Sequence, residues 1–369
     1  MPKRVLLIAT VQSHIAQFHK PLMRMLQAHG WQIHAAARDN LAEKNGLELE
    51  YPDRVIDVPF RRSPFDPRNI GAFLRLKKLL REERYDVIHC NTPVGGVLGR
   101  LAARPYRKQG TKVFYTVHGF HFYRGAPRIS WLLWYPIEKW LARWTDKLIA
   151  VDREDYELAR ARFACEVCRI HGAGADSGRF YPLDGQAQDR QKAALGLSGH
   201  ILLNVGELVP NKNQRTAILA LKALRRSIPD VSLLIAGNGP ERRRLERLIE
   251  AEGLGASVRM LGYVPHIERY VQVCDALIAC SFREGLPLNV TEALLCGKPV
   301  VASLNRGHRE LIREGENGYL VEADDADGFA RRIQRVLSTQ GEEATLVDPA
   351  LIPYTDKNVE TELSILYGL

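Results

Sequence analysis

The chain has 369 residues, 46% of them apolar and 26% charged, with Lys and Arg exceeding Asp and Glu by 52 to 43. That length suits two domains at roughly 100–200 residues each, with apolar content for two cores, and it excludes a small stapled scaffold or a chain disordered throughout. The nine surplus positive charges favour an anionic partner and are placed unevenly: residues 1–185 hold 30 basic against 19 acidic side chains, and residues 186–369 hold 22 against 24.

In chain order, Val5–Thr10 reads as a buried first strand, because the apolar stretch after Lys3 and Arg4 is short and lacks the small-residue cleavage site of a secretory leader. A helix over His19–His29 closes at Gly30, and strands follow at Gln32–Ala36, Val55–Val58, Val87–Cys90, Val113–Val117 and Leu148–Val151. This alternation of short β-branched or Leu-rich runs with amphipathic stretches is the rhythm of a doubly wound parallel sheet. Gly172–Gln188 carries no periodicity and marks a hinge near residue 185. The pattern then restarts. Strands are expected at Ile201–Val205, Val231–Ala236, Val258–Leu261, Ala276–Ala279 and Val300–Ala302, with helices at Arg215–Ile228, Arg242–Glu252 and Val290–Leu295.

The tail after Ser338 is polar, breaks at Pro349 and Pro353, and ends in a helical pattern at Lys357–Leu366 whose apolar face needs a partner, with the first domain available. The expected organisation is therefore α/β with an N-terminal Rossmann-like domain over 1–185, a second over 186–345, and a tail and helix over 346–369. The six cysteines, at 90, 165, 168, 274, 280 and 296, form no disulfide framework and suggest a reducing compartment. Cys165 and Cys168 have the spacing of half a zinc site, but no second pair follows, so they read as packing residues. No segment approaches the ~18 consecutive apolar residues of a spanning helix. A cytoplasmic or membrane-surface location is expected.

The most informative stretch is SFREGLPLNVTEALLCGKPVVAS, residues 281–303. Gly285 and Pro287 force a loop immediately before a helix, which presents backbone N–H groups and the positive helix end to an anion. Glu284 can meet sugar hydroxyls and Glu292, two turns on, a ribose. A carboxylate pair around a phosphate cradle suits a nucleotide sugar.

With ATVQSHIAQFH, YDVIHCNTPVGG, TVHGFHFYRGAP, ELVPNKNQ, AGNGPE and LGYV, this stretch resembles the family-4 retaining glycosyltransferases of GT-B fold, in particular the bacterial capsular and exopolysaccharide branch. The likeness covers nearly the whole chain and implies two Rossmann-like domains facing a cleft. It implies that Glu284 contacts the donor sugar, that Glu292 holds the ribose, and that backbone at Gly285, Leu286 and Leu288 lies by the sugar and diphosphate. Lys212 falls where the family binds diphosphate, a suitable place for a compact cation. Many relatives carry an Arg where this chain has Glu207, so Arg283 is the candidate to compensate. His118, in TVHG, corresponds to the first-domain His that reaches the donor sugar or reaction centre, and an imidazole there can donate to developing charge. Asn238, Gly239, Tyr263 and Val264 are expected by the nucleotide base. Ser13 and His14, in the loop after the first strand, and His121 are candidates for acceptor or diphosphate contact. GNGP alone is not a dinucleotide fingerprint, and a nicotinamide enzyme is excluded.

Four of the five Trp lie in WLLWYPIEKWLARW, residues 131–144, among Arg124, Arg128, Lys139, Arg143 and Lys147. On a helix after Pro136, Trp140 and Trp144 share a face with Leu133 and Ile137, a mixture that fits either the first-domain core or a membrane interface. Residues 51–150 hold 19 basic against 8 acidic side chains, so the charge surplus sits around this segment. An anionic membrane surface is the expected partner. Nucleic acid is not, for want of a recognition motif.

The sequence therefore suggests a glycosyltransferase moving a hexosyl or N-acetylhexosaminyl group from a nucleotide diphosphate, most simply a UDP-sugar, to a polyprenyl-diphosphate-linked glycan on the cytoplasmic face of a membrane, with no metal or other cofactor required. Two other readings of the same residues are a nucleotide-sugar epimerase, which needs an acid/base pair, and a non-catalytic glycan-binding subunit, suggested by Glu207.

Overall fold

A computed structural model describes residues 2–44, 47–339 and 348–369; positions 340–347 of the polar tail lie outside the described residues. The chain divides into two compact units, Met1–Gly174 with Asp356–Leu369, and Ala175–Thr355.

The first unit is a seven-stranded parallel sheet made of β1 (Arg4–Val11), β2 (Gln32–Arg38), β3 (Arg54–Asp57), β4 (Val87–Asn91), β5 (Lys112–Val117), β6 (Lys147–Ala150) and β7 (Glu166–Arg169), in the order β3-β2-β1-β4-β5-β6-β7. The inner strands are apolar on both faces, with Val5 to Ala9 wholly buried, as a sheet covered by helices on two sides requires. The second unit repeats the design with β8 (His200–Val205), β9 (Val231–Ala236), β10 (Val258–Gly262), β11 (Ala276–Ala279), β12 (Val300–Ser303) and β13 (Gly318–Val321), ordered β10-β9-β8-β11-β12-β13. In both sheets the strand order reverses beside the first strand of the unit, the position where open α/β sheets receive ligands at their carboxyl edge. The two parallel sheets are the expected architecture. The sequence pattern missed β7 and β13. Both are short outer strands, one half-exposed and polar, the other opening on a glycine.

The units part at Gly174–Ala175 rather than near residue 185, because Ala175 and Phe180 already belong to the second core and Gly185–Ala194 is a helix of the second unit. The chain returns at Asp356. Gly174 has φ +77°, and a Cβ there would stand 2.8 Å from the Asp356 Cα, so the outgoing and returning segments pass too closely for a side chain.

The C-terminal helix, Asp356–Tyr367, packs on Lys20–Ala28 of the first unit. Val359 and Leu363 are buried, and Arg24 pairs with Asp356 (2.7 Å) and Glu360. The Tyr367 ring meets Phe114 edge-on at 5.1 Å, while its hydroxyl lies 2.7 Å from His89 Nδ1. Lys147 Nζ donates to the Leu366 carbonyl.

Pro136 lies inside a continuous helix, Arg128–Leu141, instead of starting one. Its missing N–H leaves the helical bond to the Leu132 carbonyl unmade, at a residue 72% exposed, where solvent can satisfy that oxygen. All six cysteines are free, and burial pushes the Cys165 and Cys168 thiols up to about 11, which suits packing residues.

Candidate functional site

In the second unit the candidate side chains stand on the loops after β8, β9, β10, β11 and β12, all at the carboxyl edge of the sheet. The loop after β8 forms a short 3-10 turn, Pro210–Lys212, ending at Asn213 in the left-handed region (φ 51°). Asn213 is fixed there by donating to the Ala323 carbonyl, 2.9 Å away. Asn211 Nδ2 reaches the Arg283 carbonyl at 2.9 Å, tying this loop to the one after β11. Lys212 Nζ then meets Glu284 Oε1 at 2.5 Å, across 72 residues of sequence. Burial alone would raise the Glu284 carboxyl, but the Lys212 ammonium, with Ser281 and His308, outweighs it and holds the carboxyl below its usual range.

Arg306 Nε donates to the Glu284 carbonyl (3.2 Å), and a Cβ on Gly307 would lie 1.9 Å from the Gly285 carbonyl oxygen, so the loop after β12 clamps the EG turn at backbone distance. Leu286 and Leu288 pack half-buried on the second core. Helix Leu288–Leu295 starts at Pro287 without a side-chain cap, leaving its first N–H groups for a ligand. The Arg283 side chain has no carboxylate partner among the described residues. The Glu207 carbonyl accepts from Gln214 Nε2 and from the Val209 N–H.

Asn238 and Gly239 are drawn to the same edge. The Leu208 N–H donates to the Asn238 carbonyl and the Gly237 N–H to the Gly262 carbonyl, which brings Tyr263 and Val264, at the end of β10, beside them. Glu292 stands in a different electrostatic setting from Glu284. Burial, helped by Glu268 and Asp176 and opposed by Arg179, pushes its carboxyl up to about 8. Arg179 is itself paired with Glu268 at 2.5 Å.

His308 was not legible as a site residue. It is fully buried behind Glu284, with its Nδ1 2.7 Å from the Ser303 carbonyl and 3.0 Å from Asn305 Nδ2. Its Nε2 is buried without a hydrogen-bond partner.

In the first unit Ser13 and His14 lie on a helix, Gln12–Phe18, that starts directly at the end of β1; the expected loop is absent. Ser13 is locked by Asn40, which accepts from its N–H (3.0 Å) and donates to its Oγ (2.8 Å). The His14 ring stands edge-on to His118, at the end of β5, with centroids 4.6 Å apart, and His19 is 5.3 Å from His118. Burial lowers the His118 imidazole to about 4 and drives His14 and His19 well below the usual value, so all three are neutral at pH 7. His121 is not in this group; its ring lies 5.1 Å from Trp134. A separate cavity of ≈ 530 Å³ opens beside β2 and β3, lined in part by Gln12, Asp39, Glu48 and Asp57.

The Trp-rich helix divides its residues. Trp131 and Trp134 pack against the first core, whereas Ile129, Leu132, Leu133, Ile137 and Trp140 are exposed on one face. Phe65 and Ile70 (72% and 64% exposed) extend the apolar surface of this unit, with the Phe65 ring 6.1 Å from Trp134. Among the described residues no helix is long and apolar enough to cross a membrane.

Two family models match the chain, "Glycosyltransferase Family 4" over residues 20–172 and "Glycosyl transferases group 1" over 185–349. The chain is 43% identical over 340 residues to EpsD of Bacillus subtilis (strain 168), covering 91% of this chain and 88% of that one. It is 29% identical, over 73% of this chain and 70% of the relative, to the UDP-Gal:alpha-D-GlcNAc-diphosphoundecaprenol alpha-1,3-galactosyltransferase of Escherichia coli. Among solved structures, HepE of Anabaena in complex with UDP and glucose matches with a TM-score of 0.79 at 20% identity, each chain covered in full. Sucrose-phosphate synthase from Thermosynechococcus elongatus matches at 0.72 and 22% identity, over 99% of this chain and 95% of that one.

Proposed function

The chain belongs to the family-4 GT-B glycosyltransferases of exopolysaccharide biosynthesis, and from that premise we propose that it transfers a sugar from a UDP-sugar to a polyprenyl-diphosphate-linked glycan with retention of anomeric configuration. The observation that carries this reading is the Lys212–Glu284 pair beside the uncapped start of helix Leu288–Leu295. On this reading the cation and the N–H groups receive the leaving diphosphate, and the carboxylate receives the sugar hydroxyls. In the reaction the bond from the anomeric carbon to the phosphate oxygen breaks, the acceptor hydroxyl oxygen bonds to that carbon, and its proton passes to the departing diphosphate. Lys212, Arg283 and the helix N–H groups supply the positive charge that stabilises the leaving group, so the chemistry requires no metal. Glu284 and neutral His118 serve the sugar, Glu292 the ribose, Asn238, Gly239, Tyr263 and Val264 the base. Ser13, His14 and His121 serve the acceptor side.

The UDP donor is supported by HepE, which was solved with UDP and glucose, and the lipid diphosphate acceptor by the activity for which the Escherichia coli relative is named. The exposed face of Ile129, Leu132, Leu133, Ile137 and Trp140, flanked by exposed Arg128, Lys139 and Arg143, supports attachment of the first unit to anionic lipid at the cytoplasmic face of the membrane. Glu284→Ala tests the central assignment. Transfer from a UDP-sugar to lipid-linked acceptor falls at least ~100-fold, with the melting temperature of unligated protein nearly unchanged; undiminished transfer overturns it. Donor incubated alone yields no epimer on this reading, and turnover separates it from a binding subunit.

A further inference from the structure

We propose that His14, His19 and His118 form a binding site for one divalent transition-metal ion of the Zn²⁺ class. One ring nitrogen from each residue lies within 4.8 Å of the other two. The Nε2 atoms of all three are buried and have no hydrogen-bond partner. Orphaned buried polar atoms are rare singly, and three at one place imply an occupant.

A cavity of ≈ 10 Å³, lined by His19, His89, Thr116 and His118 among apolar side chains that include Leu363, adjoins two of the three ligands. His89 is not a ligand, since its Nδ1 and Nε2 are taken by Tyr367 and Thr116, each at 2.7 Å. A set of three nitrogens and no carboxylate selects Zn²⁺, Co²⁺, Ni²⁺ or Cu²⁺ over Mg²⁺ or Ca²⁺.

Bonds of ~2.0–2.1 Å in a tetrahedral site place ligand nitrogens ~3.4 Å apart, so the widest pair closes by roughly 1.4 Å. The shift falls where the chain is irregular. His19 sits at the break between helices Gln12–Phe18 and Lys20–Ala28, with φ −121° and ψ 17°, and Gly119 follows His118. A bound ion would occupy lone pairs of His14 and His118 and so inhibit transfer, a consequence that rests on the function proposed above.

The test uses the full, untagged chain freed of metal, titrated with ZnCl₂ by calorimetry and with CoCl₂ by visible absorption. One equivalent binds the wild type. His19→Gln, outside the proposed transfer machinery, weakens binding at least ~100-fold, beyond the 10–100-fold of a change around an intact ligand set, while His121→Gln binds as wild type. If His19→Gln fails to fold by circular dichroism, His14→Gln carries the same comparison. Absence of saturable binding, or equal binding by the ligand variant, overturns the site. Zn²⁺ inhibits the wild type and spares His19→Gln; binding without inhibition leaves the site standing and overturns the role given to His118.

Discussion

Lys212→Met isolates the ion pair at the centre of the second unit. The two side chains are 24% and 15% exposed, so the pair is neither a surface bridge worth under ~1 kcal/mol nor a fully buried one whose breakage costs ~3–5 kcal/mol. Removing the ammonium strands Glu284, which keeps Ser281 as a partner, and an intermediate cost of about 1–3 kcal/mol follows. At ~2–4 °C per kcal/mol for a unit of this size, melting of the second unit drops by about 2–12 °C. The pH dependence gives a sharper signature. In the wild type the Glu284 carboxyl is held below its unfolded value near ~4.3, so its contribution is full above that pH and is lost as pH falls through the depressed value. In the variant burial, the largest influence, is opposed only by Ser281 and His308 and raises the carboxyl, so stability is lost as pH rises. The deficit is therefore large near pH ~8 and shrinks toward pH ~5. Lys212→Met/Glu284→Gln recovers stability relative to the single variant. Calorimetric scans across pH measure all three proteins, and a pH-independent deficit, or a double variant no better than the single, refutes the reasoning.

Glu292 titrates in the opposite sense. Its carboxyl is raised to about 8, so the favourable protonated state is fully present below ~4.3 and is lost as pH climbs through 8. Glu292→Gln therefore gains stability on the wild type between pH ~5 and ~9 while binding UDP more weakly, as thermal shift with and without nucleotide will register. In the first unit, Arg100 is fully buried, pairs with Glu138 at 2.7 Å and lies 3.9 Å from the Tyr115 ring centroid; Arg100→Met should cost about 3–5 kcal/mol in urea unfolding, and a loss under ~1 kcal/mol would mean the pair is wet. Leu132→Asp changes a 72% exposed residue, so stability moves by no more than ~0.5 kcal/mol while flotation with anionic vesicles falls; unchanged flotation removes that helix from the membrane contact.

Most strands were legible because apolar runs such as Val5–Ala9 and Leu233–Ala236 are bounded by helix and turn signals, and a parallel sheet buried on both faces needs such runs. β7 was not, since an edge strand of sequence EVCR is half-exposed and carries no run. Spaced motifs singled out the candidate residues; spacing alone says nothing of the meeting of Lys212 with Glu284, which the order of β8 and β11 brings about. His308 and His19 escaped for a shared reason. Each is a lone histidine whose significance lies in what surrounds Nε2 in three dimensions, and no local periodicity records that. The Trp-rich helix turns Trp131 and Trp134 to the first core and leaves Leu132, Leu133 and Trp140 exposed, a division that no single run in the sequence records because residues of its two faces alternate.

The return of Asp356–Tyr367 to the first unit has a consequence for synthesis. A ribosome emits the first 174 residues and then the whole of 175–355 before the segment carrying Val359, Leu363 and Tyr367 emerges. At ~5–20 residues per second, that interval is roughly 10–40 s. Throughout it the nascent chain has neither the hydroxyl that meets His89 nor the aromatic ring that covers Phe114. The earlier-made half is thus the later to mature, and a chaperone acting cotranslationally has a defined client surface and a defined window in which to hold it.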